Sequence, residues 1–128
     1  MTNCPGNKTV LIIEDDVILL ELFDEILAES FSTRTANNLN EAMDILRNSH
    51  VDAIVSDYHL KIESAELLIE WLMQEMPELV SKLILLTGEL NKTFHHRNKI
   101  ASVLFKPVDF NILKQEVHAL LDTPQRSL

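Results

Sequence analysis

A doubly wound α/β domain, a (βα)5 three-layer sandwich with a parallel sheet between two layers of helices, is the fold class this sequence predicts. Three features point to it. Short apolar runs alternate with longer stretches of helical period, five pairs in succession. All but one of the short runs are mainly apolar, as strands buried on both faces should be. The chain of 128 residues is long enough to bury one core, and it shows no internal repeat or low-complexity segment.

The expected strands are Thr9 to Ile13, Ser32 to Ala36, Ala53 to Ser56, Lys82 to Leu86 and Ser102 to Phe105. The second, Ser-Thr-Arg-Thr-Ala, is polar enough for a sheet edge. Helices are expected over Val17 to Glu29, Asn40 to Asn48, Ala65 to Met76, Asn91 to Lys99 and Phe110 to Leu121. In the first, Leu19, Leu22, Phe23, Ile26 and Leu27 recur at three and four residues and define one apolar face. Pro77 sits where the third should stop, and Asp109 where the last should be capped. Trp71 with Leu67, Leu68 and Leu72 is expected to pack the core or a partner surface. Residues 1–8 read as an N-terminal extension, 9–122 as the domain, and 123–128 as a polar tail that is either a terminus or the start of a linker.

Composition narrows the function. Eleven basic against twenty acidic residues give a formal charge of -9, so the surface repels nucleic-acid backbones and anionic headgroups, and no direct nucleic-acid contact is expected. No apolar run approaches membrane-spanning length. The first residues lack the apolar centre of a secretion signal, and the single cysteine, Cys4, cannot form an internal disulfide; a cytoplasmic location fits.

In a doubly wound sheet, ligands sit beyond the carboxyl ends of the strands. The residues leaving those ends are Glu14, Asp15 and Asp16, then Asp57, Thr87 and Lys106. Taken singly each is an ordinary strand-end or helix-start residue, but together they bring several carboxylates to one edge. Carboxylates so placed suppress one another's ionisation unless a cation neutralises them. With no Cys or His at ligand spacing, the donor set suits a hard ion, Mg²⁺ or Mn²⁺, and disfavours zinc. A lysine ammonium and a threonine hydroxyl facing such an ion are the groups that stabilise a transferring phosphoryl.

These residues resemble the receiver domains of bacterial response regulators, from about Thr9 to Leu121. Val-Leu-Ile-Ile-Glu-Asp-Asp is similar to the family's first strand and acidic pair, and Ile-Val-Ser-Asp-Tyr to its phosphoacceptor segment. Leu-Leu-Thr-Gly resembles its switch segment and Phe-Lys-Pro its lysine segment. The resemblance implies a flavodoxin-like sheet of strand order 2-1-3-4-5. It further implies Asp57 as phosphoacceptor, Asp15 as a direct metal ligand, Glu14 as a ligand acting largely through water, and the backbone carbonyl of His59 as another. Thr87 would bond the phosphoryl oxygen, Lys106 would pair with Asp57, and the Lys106 to Pro107 peptide would be cis. His59 and Glu89 would flank the attacking water and tune the phosphoryl lifetime.

So read, the chain is a regulatory phosphoacceptor rather than an enzyme. It would take its phosphoryl group from a sensor histidine kinase or histidine phosphotransfer protein and signal to a downstream protein partner, with a homodimer as a further option. The sequence departs from the family at Lys61, where Pro is usual, at Ala65, where Gly is usual, and at Val103, where an aromatic often switches. Lys61 and Ala65 predict an altered loop after Asp57. Together with Val103 they leave a second reading, a degenerate receiver that works as an interaction or dimerisation module without phosphorylation. A phosphatase or flavin-binding domain on the same fold is disfavoured, by His59 where phosphatases carry an acid and by the lack of a phosphate loop after the first strand.

Overall fold

The structure, a computed structural model, describes residues 8–61, 63–89 and 96–122. Numbering only the strands of the main sheet, it consists of β1 (Thr9–Ile13), β2 (Ser32–Ala36), β3 (Ala53–Asp57), β4 (Leu83–Thr87) and β5 (Ser102–Phe105). The helices are α1 (Val17–Ala28), α2 (Leu39–Asn48), α3 (Ala65–Glu75) and α4 (Phe110–Asp122). All pairings in the main sheet are parallel, and the order is β2-β1-β3-β4-β5, as expected.

Each central strand is apolar on both faces because each face meets its own helical layer. Leu11, Ile13, Ile54, Leu83 and Leu85 join a cluster with Leu39, Ala42, Leu46, Leu68 and Leu72 of α2 and α3. The alternate residues Val10, Ile12, Val55, Ile84 and Leu86 join Phe23, Leu27, Leu113 and Val117 of α1 and α4. The polar β2 is the edge its composition predicted, with only Ala36 fully buried.

Side-chain caps set the helix starts. Asn38 accepts from Glu41 N at 2.9 Å, and Asp109 accepts from Asn111 N at 2.8 Å. α3 stops one residue short of the expected Met76, and Pro77 opens a 3₁₀ helix over Pro77–Lys82, which takes Lys82 out of the expected fourth strand. On α1 the expected apolar face is narrower than its spacing suggested. Phe23 and Leu27 are buried but Leu22 is exposed, because a helix lying on a sheet hides only one stripe. The expected helix from Asn91 to Lys99 lies largely outside the described residues, and its end, Arg97–Lys99, forms a single 3₁₀ turn.

At the opposite end of the sheet from Glu14, Thr87 and Lys106, Asp52 ties the domain's first strand to its centre. Its carboxylate accepts from Thr9 N at 2.9 Å and faces His50 Nε2 at 2.8 Å. Partial burial alone would raise its pKa. The Thr9 hydrogen bond, the hydrogen bond and charge of His50 and the charge of Lys8 outweigh that, and the net value lies below the ordinary 3.8. A depressed folded pKa means that ionised Asp52 stabilises the fold at pH values above about 3.8, and that this contribution fades as pH falls through the folded value. Asp52→Ala is therefore expected to lower the unfolding free energy at neutral pH by about 1–2 kcal/mol. Denaturant unfolding followed on acidification should show the gap to the parent protein closing.

Candidate functional site

The ladders run on past the strands and fix the residues at their carboxyl ends. Glu14 N donates to Ala36 O at 3.1 Å, Tyr58 N to Leu86 O at 2.8 Å, and Lys106 N to Thr87 O at 2.8 Å. Position along the chain is thereby converted into position along one edge of the sheet. Asp57 and Thr87 fall inside the last residues of β3 and β4 rather than after them, so their backbones are as constrained as the core.

The acidic run after β1 divides its labour. Asp16 is exposed and caps α1, its Oδ1 accepting from Ile18 N at 3.0 Å and Leu19 N at 3.2 Å. Glu14 turns inward, is 1% exposed, and accepts from Asp16 N at 3.2 Å. Asp15 is half-buried between them. An oxygen from each of Glu14, Asp15 and Asp57 lies within 4.8 Å of the others.

Lys106 reaches this group from β5. Its Nζ is 3.1 Å from Asp57 Oδ1 and 3.4 Å from Glu14 Oε1. The electrostatics are those of crowded anions with too little positive charge. Burial and then the charge of Asp57 push Glu14 up to about 7, although the Asp16 N–H and Lys106 oppose the rise. Asp57 is also raised, by burial first, with Lys106 pulling the other way and Asp15 adding to the rise. Burial would lower Lys106, but the hydrogen bond and charge of Asp57, followed by those of Glu14, leave it raised. Three clustered carboxylates, with Glu14 and Asp57 both raised, fit a hard divalent cation bound through oxygen, the donor chemistry the sequence implied.

The lysine peptide, Lys106 to Pro107, is cis, as the resemblance implied. Thr87 is 1% exposed, and its Oγ1 accepts from Glu89 N at 3.1 Å, leaving its own hydroxyl proton to donate elsewhere. His59 and Glu89 meet across the mouth of the site, Nε2 to Oε2 at 3.5 Å, with both side chains about half exposed.

The loop after Asp57 does take an unusual shape. His59–Leu60 and Glu63–Ser64 pair antiparallel as a small hairpin, and Lys61 occupies the left-handed region at φ 59. Asn or Gly normally fills such a place, so the sequence carried no hairpin signal there. Leu60 is buried, Ala65 N donates to Tyr58 O at 2.8 Å, and the Tyr58 hydroxyl bonds the Glu66 carboxylate, so the hairpin is secured to α3. Sequence reasoning missed both Tyr58 and Glu66, whose spacing of eight residues across a loop has no periodic signature.

Residues 10–118 match the response regulator receiver domain family, and the chain belongs to it. It is thus a receiver domain of the two-component signalling class, a family whose role is regulatory. The response regulator protein PilR of Pseudomonas aeruginosa is 28% identical over 118 residues, which are 91% of this chain and 26% of PilR; the chain spans about a quarter of that relative's length. A response regulator receiver domain protein from Methanospirillum hungatei JF-1 superposes with a TM-score of 0.81 at 23% identity, over 91% of this chain and 95% of that one. One from Methylobacillus flagellatus gives 0.80 at 23%, over 90% and 99%. At such identity these two structures speak for the fold alone.

Among the described residues Lys106 is the one cation in contact with both buried carboxylates, so its loss should raise the Asp57 pKa further. Carboxyl-carbon NMR titration of Lys106→Ala is expected to place Asp57 above its value in the parent chain.

Proposed function

We propose that Asp57 accepts a phosphoryl group from a phosphohistidine on a sensor histidine kinase or histidine phosphotransfer protein. The observation that carries this reading is the contact of Lys106 with Asp57 at 3.1 Å inside a cluster whose other members, Glu14 and Asp15, lie within 4.8 Å. An Asp57 carboxylate oxygen attacks phosphorus, the bond from phosphorus to the imidazole nitrogen breaks, and the donor histidine leaves neutral after taking a proton. Asp15, Asp57 and the His59 backbone carbonyl would hold Mg²⁺ or Mn²⁺, with Glu14 acting through water. When bound, such an ion supplies positive charge shared between the carboxylates and the phosphoryl oxygens.

The chain's own residues do the rest. Lys106 favours the ionised form of Asp57 against the effect of burial and afterwards faces the phosphoryl oxygens. Thr87 offers a hydroxyl proton to a phosphoryl oxygen, which draws its strand end toward the acceptor and marks the phosphorylated state. His59 and Glu89 stand over the path of the water that would hydrolyse the acyl phosphate. A protein donor is supported by the apolar rim that opens α1, where Val17 and Ile18 are 55% and 71% exposed. Beside it is a cavity of about 490 Å³ lined by Leu19, Phe23, Pro107 and Phe110 together with Lys106. Output would pass to a downstream protein partner, with neither nucleic acid nor membrane contacted by this domain; among the described residues no helix is long and apolar enough to cross a membrane.

Acetyl phosphate with Mg²⁺ is expected to add one phosphoryl mass that hydroxylamine removes and Asp57→Asn abolishes. Lys106→Ala should slow its formation by on the order of 10²-fold. An adduct retained by Asp57→Asn would move the acceptor elsewhere, and no adduct at all would leave a domain acting only by docking. His59→Asn should change the rate at which the adduct decays while leaving its formation intact, as followed by timed mass spectra after donor removal.

A further inference from the structure

Phe105 is a large aromatic side chain left 45% exposed directly beside the site, as the last residue of β5. Alternation along the strands assigns it a face. Leu83, Leu85 and Val103 pack into the cluster under α2 and α3, whereas Ile84, Leu86 and Leu104 pack into the one under α1 and α4. Thr87 and Phe105 therefore project on the same side as Leu85 and Val103. They are also register partners, on strands whose spacing is about 4.8 Å.

The connection between them is covalent on one side and hydrogen-bonded on the other. Lys106 N donates to Thr87 O at 2.8 Å, and that N–H belongs to the peptide linking Phe105 to Lys106. A displacement of the Thr87 backbone thus reaches Phe105 through one hydrogen bond and one peptide plane. β5 is a four-residue strand at the sheet edge, paired among the described residues with β4 alone, so it yields more readily than a strand paired on both sides. Val103, on the same face, is packed against the core and has no ring to move.

We propose that Phe105 is the side chain through which the state of Asp57 is displayed at the surface, its ring changing environment when Thr87 is drawn toward the acceptor. The inference rests on the phosphoacceptor reading above and adds where the signal emerges. Phe105 serves as an apolar contact whose presentation depends on phosphorylation.

The test places a single tryptophan at the site by combining Trp71→Phe with Phe105→Trp. A control carries Ile112→Trp instead, at an equally exposed position on α4 that is not bonded to β4. Each protein is loaded with acetyl phosphate and Mg²⁺ while the adduct is followed by mass. The emission maximum and quenching of the tryptophan at position 105 should shift in proportion to adduct and the control should stay constant. Adding Thr87→Ala and loading to the same adduct fraction should abolish the shift. An adduct without a change at position 105, or a change that survives Thr87→Ala, overturns the proposal. Absence of adduct in every protein, the parent included, removes the phosphoacceptor reading and this inference with it. Ring proton resonances of Phe105 in the parent chain give the same readout without substitution, should the tryptophan variants fold poorly, and resonances unmoved on loading count against it equally.

Discussion

Three carboxylates brought within 4.8 Å of one another oppose the fold that assembles them. What keeps them together is the parallel ladder, which continues through Glu14, Tyr58 and Lys106 and leaves their backbones no freedom to separate. Lys106 then offsets part of the repulsion by contacting both buried members. Glu14 nonetheless rises to about 7, through burial first and the charge of Asp57 second, so the lysine only partly compensates. A site under this kind of tension has an appetite for positive charge built into its backbone, and the hydrophobic clusters on both sheet faces supply the rigidity against which the tension acts.

Much of this was legible in the residues. The five strands, the burial of the three central ones on both faces, the polar edge and the strand-end set of Glu14, Asp15, Asp57, Thr87 and Lys106 follow from apolar runs and their exits; β5, expected to be as buried, is only partly covered because it is the other edge of the sheet. The division of Glu14, Asp15 and Asp16 into buried, intermediate and capping roles was not legible. Three adjacent acids look alike until the helix start decides which one its N–H groups recruit. Leu22 was misjudged for a related reason, since periodicity fixes the direction of a helix face but not how much of it a neighbour covers.

The hairpin after Asp57 lay beyond sequence reasoning for a physical reason as well. Its tip places Lys61 in a conformation that residue type does not favour, and it is secured by long-range partners: buried Leu60, and the Tyr58 hydroxyl on Glu66. Tertiary contacts there override local preference. The hairpin carrying His59 is consequently anchored through Leu60 and Tyr58, and His59 meets Glu89 just beyond the end of β4.

The edge strand β2 has an implication of its own. Its exposed residues are Ser32, Arg34 and Thr35, with Thr33 bonded to Asp24 of α1 and Arg34 reaching Ser49. A rim so polar and charged is a poor template for backbone pairing with another chain, which is how sheets avoid growing into fibres. Crowding many copies of this domain together, as at high expression, should therefore favour contact through helices and side chains over extension of the sheet from that side.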